Sequence, residues 1–342
     1  MCKSSPAMKR ICVLPGDGIG PEVVGSAVMI LEQVTDKLEF VYSEIGQAAF
    51  ERTGERLPAE TLRLMRTCDS CLFGAVTSVD APDYDSPVLR FRKELDLYAN
   101  VRPVKTLVPR ARRPPIDVII VRENSEGMYT QNEVYDDAGV TTMRRVTRRG
   151  SERIVGFAIR HALENARRKL TCIHKANVLR ASDGLFLNTF REMMGSQGRG
   201  LIPDEQLVDS AAMKLVTDPE SFDVIVTLNL YGDILSDVAA GVAGGLGFAP
   251  SGNIGPEHSV FEPAHGSAPD IAGKGIANPT AAVLAGAMML RHVGLDEEAE
   301  EVENAVSRFY SSGHLTQDMG GRHGSRSYTE HVLRILAGKE PR

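Results

Sequence analysis

Residues 10–22, RICVLPGDGIGPE, carry the clearest fold signal of the chain. Residues 10–14, apolar from position 11 onward, predict a β-strand, the glycines after them predict a tight turn, and Pro21 is typical of the first turn of a helix, expected over 21–36. The alternation continues, with strands expected at 39–44, 71–75, 118–122, 170–174 and 222–227 and helices at 58–66, 151–169 and 181–194. Strands that alternate with helices predict an α/β fold with a largely parallel sheet.

The glycine turn does not have the spacing of a Rossmann dinucleotide-binding loop. Gly16, Gly18 and Gly20 form G-x-G-x-G rather than G-x-G-x-x-G, and no acidic residue closes a second strand about 20 residues later in the expected way. A glycine turn that leads into a helix is also common scaffolding. The turn alone therefore leaves nucleotide binding and a structural role both open.

The composition indicates a globular protein and excludes several classes of partner. The 342 residues suit two domains or one large α/β unit, and the net charge of −6 argues against a general binder of nucleic acid or of anionic membranes. The longest apolar run, 281–290, is too short to cross a bilayer. Since no leader-like segment precedes residue 11, we expect a cytoplasmic protein.

Cys68 and Cys71 have C-x-x-C spacing, which raises the question of a metal or redox site. A structural zinc ion needs four ligands, and the sequence contains no second pair of cysteines or histidines at zinc-finger spacing. The total of five cysteines is odd, which does not suit a disulfide framework. We therefore expect buried or neutral thiols at this pair.

Asp233 and Asp237 follow the strand expected at 222–227. Their i, i+4 spacing places both carboxylates on one face of a helix, and no Lys or Arg stands near them in the sequence. Two unpaired carboxylates are costly to bury, and a hard divalent cation such as Mg²⁺ or Mn²⁺ relieves their repulsion. The alternative is that Asp233 caps the helix while Asp237 faces solvent.

Basic residues lie at or near strand ends, where ligands bind in open α/β sheets. Arg92 and Arg102 flank residues 98–100, and Arg122 and Lys175 each lie at the end of an expected strand. Converging arginines bind carboxylates with two parallel hydrogen bonds, whereas a single strand-end arginine is more often part of a structural salt bridge. The sequence leaves both interpretations open.

The segment 261–270, FEPAHGSAPD, is an irregular stretch that glycine and proline interrupt. Long loops of this kind in a compact protein are usually functional. Its histidine, His265, is a candidate ligand-binding residue. A loop histidine whose hydrogen bonds are satisfied within the protein is the alternative.

Six segments together resemble the β-decarboxylating dehydrogenase family, which includes the isopropylmalate, isocitrate, homoisocitrate and tartrate dehydrogenases. They span nearly the whole chain in the family's order and are LPGDGIGPE (14–22), LDLYANVRP (95–103), VRENSEGMY (121–129), HKANV (174–178), NLYGDILSDVAAGVAGGLGFAPSGNIG (229–255) and FEPAHGSAPDIAGKGIANPTA (261–281). Ala264 is a small departure, since the family usually has Val there.

The resemblance implies an isopropylmalate-dehydrogenase-like two-domain fold with a large, largely parallel central sheet, which is not a Rossmann fold. Residues 1–98 with 247–342 would form the cofactor-binding domain, which contains both termini, and residues 99–246 the central substrate, metal and dimerisation domain. Family members are dimers whose active sites lie in the interdomain cleft. We therefore expect a homodimer, or a dimer of dimers, that acts on a small-molecule substrate.

The family's metal site matches three carboxylates of this sequence. Asp233 and Asp237, together with Asp209 of the partner subunit, would hold Mg²⁺ or Mn²⁺ against the C2 hydroxyl and C1 carboxylate of the substrate. As a Lewis acid the ion lowers the pKa of the hydroxyl group. Lys175, also from the partner subunit, would take the hydroxyl proton.

The remaining steps of the family's reaction are implied for four further residues. After hydride leaves C2 for NAD⁺, Arg92, Arg102 and Arg122 would bind the carboxylate that departs as CO₂. Tyr129 would then protonate C3. A non-catalytic regulatory subunit is the alternative from another class, but such subunits are expected to lack some of these side chains.

NAD is the cofactor that the resemblance implies. NAD-dependent members are similar to this chain at Asp270. The carboxylate of Asp270 would accept hydrogen bonds from the hydroxyl groups of the adenosine ribose and would repel the 2′-phosphate of NADP. The residues implied in cofactor binding are His265, Gly266, Ser267, Ala268, Asp270 and Asn278.

Residues on the helix before Arg92 bear on which side group the substrate carries. Isocitrate enzymes have Asn where this chain has Val88, and some bacterial homoisocitrate enzymes have Arg where it has Leu89. An apolar pair suits an isopropyl group, so we expect 3-isopropylmalate as substrate and a role in leucine biosynthesis. Arg90 leaves a homoisocitrate-type acid open as the alternative, followed by tartrate or malate.

Overall fold

The computed structural model describes residues 8–79, 84–108 and 115–339. The chain forms two compact units: the terminal unit takes the described residues of Met1–Leu95, Leu246–Gly252 and Glu257–Arg342, and the central unit takes those of Asp96–Gly245 and Asn253–Pro256. None of the helices in the described ranges combines the length and apolar character that crossing a bilayer requires. The roles expected for the two domains remain predictions.

In the described part of the terminal unit, four strands pair in parallel. Its elements, numbered in chain order, are β1 (Lys9–Gly16), α1 (Gly20–Val34), β2 (Leu38–Tyr42), α2 (Gln47–Thr53), α3 (Ala59–Thr67), β3 (Ser70–Ala75), α4 (Pro87–Glu94), β11 (Pro250–Ile254, of which the last two residues count to the central unit), β12 (Ser259–Pro263), α9 (Thr280–His292), α10 (Asp296–Ser311) and α11 (Ser325–Leu336). The strand order is β2-β1-β3-β12-β11. All six residues of β3 are buried, as expected for a parallel strand that is covered on both faces.

The central unit combines a mostly parallel set of strands with one antiparallel member. Its elements are β4 (Ala99–Lys105), β5 (Asp117–Glu123), β6 (Glu133–Asp136), β7 (Gly139–Thr142), α5 (Arg148–Glu164), β8 (Lys169–His174), α6 (Ser182–Gln197), β9 (Ile202–Leu207), α7 (Val208–Thr217), β10 (Val224–Thr227) and α8 (Asn229–Ala243). The strand order is β4-β5-β10-β8-β9, and only β4 runs antiparallel to its neighbour, β5. Strands β6 and β7 form a separate hairpin.

The α/β class and the largely parallel pairing are confirmed. The six expected strands correspond to β1, β2, β3, β5, β8 and β10, with ends that differ by at most two residues. The helix expected over 151–169 is wrong at both ends, because α5 spans Arg148–Glu164. Ala166 takes a left-handed φ of 52°, which reverses the chain before β8 begins at Lys169.

The glycine turn after β1 has a structural explanation within the terminal unit. Gly16 and Gly18 have positive φ, and a Cβ on Gly18 would lie 2.0 Å from the carbonyl oxygen of Ser267. The carboxylate of Asp17 accepts hydrogen bonds from the backbone N–H of Gln47 (2.8 Å) and of Thr77 (2.9 Å). The turn therefore joins three loops, one of which carries residues expected to bind the cofactor.

The prediction of buried, neutral thiols at the C-x-x-C pair is confirmed. Cys68 and Cys71 are both free and buried. Burial raises the pKa of Cys68 to about 11, and a hydrogen bond with Cys12, together with burial, raises the pKa of Cys71 well above its ordinary value. Thiols of this kind are poor nucleophiles and poor metal ligands.

Candidate active site

Two arginines of the central unit share one face of its sheet. Arg102 lies on β4 and Arg122 on β5, and the antiparallel register pairs Arg122 with Asn100, two residues before Arg102. Directly opposed residues point to the same face of a sheet, as do residues two apart in one strand. Helix α8 packs on β4 and β5.

Arg122 is a deeply buried charge, with 1% of its side chain exposed. Its Nε and Nη2 donate to Asn229 Oδ1 at 3.1 and 2.8 Å, and its Nη1 donates to Asp233 Oδ1. A planar guanidinium that is buried in this way is held in one orientation by its acceptors.

Arg102 brings a second guanidinium to the same helix. Its Nε donates to Asn100 Oδ1 at 2.7 Å and its Nη1 to Ser236 Oγ at 2.6 Å. The same Nη1 lies 3.2 Å from Asp233 Oδ1 and 3.7 Å from Asp237 Oδ1. One face of α8 therefore meets two positive charges.

These ion pairs overturn one premise drawn from the sequence, that no basic residue compensates Asp233 and Asp237. The partners come from strands more than a hundred residues earlier in the chain, so their proximity is not visible in the local sequence. A divalent cation is therefore not required to compensate the two carboxylates. What favours a metal ion there is the pair of oxygen ligands that the carboxylates offer.

Tyr129 shares Asp233 with the arginines. Its hydroxyl donates to Asp233 Oδ2, and the guanidinium carbon of Arg122 lies 4.9 Å from the centre of its ring. Burial and the hydrogen bond to Asp233 raise the pKa of Tyr129. The phenol therefore stays protonated at neutral pH, which is the form that can donate a proton.

Lys175 lies at the carboxyl end of β8, and a fully buried carboxylate fixes its backbone. Its N–H donates to Asp183 Oδ2 at 2.7 Å, and Asp183 also binds Arg144 Nη1 (2.6 Å) and the hydroxyl of Tyr231 (3.1 Å). The Lys175 ammonium group donates to Asp209 Oδ1, and this bond lowers the pKa of Asp209.

The carboxylates of α8 suit a hard divalent cation. Asp233 and Asp237 lie one helical turn apart with 34% and 57% of their side chains exposed, so solvent and ligands can reach both. Burial, followed by repulsion from Asp233, raises the pKa of Asp237, which a cation would reverse. In the part of the chain that the structure describes, Asp209 does not form a three-carboxylate group with them.

The terminal unit places Arg92 on α4 beside a buried acid. Arg92 Nη2 donates to Glu262 Oε1 at 2.9 Å, and about a tenth of each side chain is exposed. The Nε of Arg92 is buried without a hydrogen-bond partner among the described residues. Val88 and Leu89, on the first turn of the same helix, are half-buried.

The loop that follows β12 contains the residues expected to bind the cofactor. His265 Nδ1 lies 2.9 Å from the carbonyl oxygen of Gly266, while Nε2 is buried with no partner within the described ranges. Burial lowers the pKa of His265, so its ring is neutral. A neutral ring with an unused nitrogen suits a ligand that offers a hydrogen bond or a flat ring.

The rest of that loop is anchored to the terminal unit. The hydroxyl of Ser267 accepts from Thr77 Oγ1 at 2.8 Å, and Asn278 Nδ2 donates to Asp318 Oδ2 at 3.0 Å. Ala268 has a left-handed φ of 39°, and the side chain of Asp270 is exposed. All six residues expected to bind the cofactor therefore lie in one unit.

The expected site residues fall into four groups. The first group is joined through Asp233, which contacts Arg102, Arg122 and Tyr129, while Asp237 lies beside Arg102. In the second group Lys175 contacts Asp209. The other two groups belong to the terminal unit and are Arg92 with Val88 and Leu89, and the cofactor residues.

Sequence reasoning missed the side chains that orient these groups. Asn229 and Asp183 hold Arg122 and the Lys175 backbone, and Glu262 holds Arg92. Asn229 and Glu262 stand in segments that resemble the family and Asp183 does not, but in each case only the contact with a basic residue reveals the role.

Comparison with known proteins identifies the family. Residues 10–333 match the model of the family described as isocitrate/isopropylmalate dehydrogenase. The chain is 48% identical over 330 residues to isocitrate/homoisocitrate dehydrogenase of Thermus thermophilus, covering 96% of this chain and 98% of that one. It is 46% identical over 333 residues to 3-isopropylmalate/3-methylmalate dehydrogenase of Methanocaldococcus jannaschii, with the same two coverages.

A solved structure agrees with the sequence relatives. The crystal structure of isocitrate dehydrogenase from Methylococcus capsulatus superposes with a TM-score of 0.93 at 39% identity, covering 96% of this chain and 99% of that one. The chain belongs to the isocitrate/isopropylmalate dehydrogenase family. It is an NAD(P)-dependent β-decarboxylating dehydrogenase, of a family that generally uses a divalent metal and binds small-molecule substrates.

Proposed function

We propose that the protein catalyses the NAD-dependent, divalent-metal-dependent oxidative decarboxylation of 3-isopropylmalate to 2-oxoisocaproate and CO₂. The observation that carries this choice is the half-buried apolar pair Val88 and Leu89 on α4, one helical turn before Arg92. An isopropyl group loses no polar interaction against such a surface, whereas an acidic arm would leave a carboxylate without a partner.

In this reaction the chain's own residues bind the carboxylates and move two protons. Arg102 and Arg122 offer guanidinium groups that α8 and Asn100 hold in place, and Arg92 offers a third from the terminal unit. Lys175 would accept the proton of the C2 hydroxyl, directly or through water. After CO₂ leaves, Tyr129, whose raised pKa keeps it protonated, delivers a proton to C3.

The metal and the cofactor supply the remaining chemistry. Asp233 and Asp237, with Asp209 of the partner subunit, would hold Mg²⁺ or Mn²⁺, and the ring of His265 with Asp270 would bind the adenosine part of NAD. When bound, the cation acts as a Lewis acid on the substrate oxygens and NAD accepts the hydride.

A homodimer with shared sites is part of the proposal. Asp209 binds Lys175 in its own chain instead of joining Asp233 and Asp237, so a three-carboxylate site requires a second copy. The central unit exposes apolar side chains that a second copy can cover, namely Val134, Tyr135, Val140, Met213, Val216 and Ile234.

A homoisocitrate-type substrate is the second candidate. Arg90 on α4 lies 3.8 Å from Asp85 in a pair whose members are 36% and 71% exposed, so it is weakly held and can turn to an acidic arm. Isocitrate is less suited, because Val88 stands where an amide would meet its third carboxylate.

The test is NADH formation by the purified protein with Mg²⁺, comparing kcat/KM for 3-isopropylmalate, homoisocitrate and isocitrate. We expect 3-isopropylmalate to be preferred, and Leu89→Arg to move the preference toward homoisocitrate, with Lys93→Arg as a matched control on the same helix. A wild-type preference for either tricarboxylic acid would overturn the choice of substrate but not the reaction class.

A further inference from the structure

Three histidines of the terminal unit converge next to its C-terminal helix. His314 follows α10, His323 precedes α11, and His331 lies on α11. Each offers one ring nitrogen to a group whose members all lie within 4.8 Å of one another. His323 Nε2 is 3.2 Å from His314 Nδ1, and the ring centres of His314 and His331 are 4.0 Å apart.

The cluster is buried among aromatic side chains. His323 and His331 are 9% and 8% exposed, and the Phe309 ring makes T-shaped contacts with both. The second nitrogen of His323, Nδ1, is buried and has no hydrogen-bond partner in the described part of the chain. His314 is half-buried and gives solvent its nearest access to the cluster.

Burial favours the neutral form of the His323 ring. Burial is the largest cause of the lowered pKa of His323, and the nearby charges of His314 and His331 act in the same direction. Arg322, the preceding residue, adds a further positive charge. A neutral imidazole is the form that binds a metal ion.

We propose that His314, His323 and His331 form a second metal site, which binds one borderline divalent transition-metal ion such as Zn²⁺ or Co²⁺. Two nitrogens that each lie about 2.0–2.1 Å from a tetrahedral zinc ion are about 3.3 Å apart. The observed 3.2 Å between the His323 and His314 nitrogens fits that separation. Within the described ranges this is the one group of three or more potential ligands.

This site differs in chemistry from the carboxylates of α8. Imidazole nitrogen prefers Zn²⁺, Co²⁺, Ni²⁺ and Cu²⁺, whereas carboxylate oxygen suits Mg²⁺ and Mn²⁺. The ion would link the end of α10 to α11 across the segment 314–323. That segment carries Asp318, whose carboxylate accepts from Asn278.

The experiment uses full-length protein from which any polyhistidine tag has been removed, dialysed first against EDTA and then into excess Mg²⁺. Co²⁺ is titrated in, and its visible absorption bands report coordination by nitrogen. We expect one Co²⁺ per chain, displaced by one Zn²⁺, while Mg²⁺ stays at saturation. Bound Zn²⁺ also raises the thermal midpoint, because the ion binds only the folded state.

His314→Gln and His323→Gln test the ligands, and His258→Gln, which alters a histidine outside the cluster, is the matched control. Loss of one of three ligands is expected to weaken binding more than about 100-fold, whereas the control retains the wild-type affinity. His314→Gln changes the half-buried member, so its fold, checked by circular dichroism, is expected to be intact. Absence of stoichiometric Co²⁺ binding, or wild-type binding by both cluster variants, would overturn the proposal.

Discussion

Asp233→Asn and Asp237→Asn are expected to have the same effect on activity but different effects on stability. Both residues are proposed metal ligands, so either change removes Mg²⁺-dependent NADH formation. Their surroundings differ, however: Asp233 is the acceptor for Arg122, whose side chain is 1% exposed, while Asp237 is 57% exposed and lies 3.7 Å from Arg102.

The size of the difference follows from burial. Removing one partner of a buried ion pair costs about 3–5 kcal/mol, because the other charge is left uncompensated. Arg122 keeps two hydrogen bonds to Asn229, and Asp233 is one-third exposed, so we expect the lower end, about 3 kcal/mol of unfolding free energy. Removing the exposed charge of Asp237 changes the unfolding free energy by less than about 1 kcal/mol.

The assay is urea unfolding of EDTA-treated protein, followed by far-UV circular dichroism. Working without metal removes any stability that comes from metal binding itself, which both variants would lose. Wild-type protein in the same buffer is the reference. Equal losses for the two variants, or a loss below about 1 kcal/mol for Asp233→Asn, would refute the electrostatic reasoning.

Three further outcomes are expected. Lys175→Ala and Asp237→Asn proteins are each expected to be inactive, but random exchange of their subunits restores about a quarter of the wild-type number of active sites. The reason is that in a mixed dimer one site carries both changes and the other site carries neither. No recovery of activity after verified exchange would exclude sites shared between subunits. Asp183→Asn is expected to lower kcat by a larger factor than it raises KM for substrate, because the Asp183 carboxylate fixes the Lys175 backbone. Steady-state kinetics measures both, and an unchanged kcat would show that the hydrogen bond from the Lys175 N–H is unimportant for the reaction. Burial lowers the pKa of His161 to about 4, so between pH 6.5 and 4 the unfolded chain binds a proton that the native chain does not, and the free energy of unfolding falls as the pH falls. In His161→Gln the urea midpoint should therefore change less with pH over that range. The same pH dependence in the variant and the wild type would contradict this.

The sequence predicts local features of the site better than its ion pairs. The i, i+4 spacing of Asp233 and Asp237 places them on one helical face, and α8 has them there. Their pairing with Arg102 and Arg122 depends on the antiparallel register of β4 and β5 and on how α8 lies over both strands. Such contacts join residues more than a hundred positions apart, and no local pattern encodes them.

Local sequence patterns also fail to predict an edge strand, a helix end and the histidine cluster. Strand β9, with the sequence IPDEQL, is partly exposed and has little apolar character, so it gave no strand signal. The end of α5 is set by the reversal at Ala166 and by Arg167, which binds Asp117 and Asp223. His314, His323 and His331 also escaped notice, because their separations of nine and eight residues match no metal-binding motif.

The three-loop junction at Asp17 bears on which positions are free to vary. Its carboxylate binds the main-chain N–H groups at positions 47 and 77, and every residue except proline supplies such a group. Natural drift or a randomised library can therefore replace the side chain at position 47 without disturbing the junction. Position 17 has no such freedom, because only a short acidic side chain places two acceptor oxygens between the loops. Sequence variation at this junction should therefore be found at position 47, which contributes only a backbone N–H group, and not at position 17.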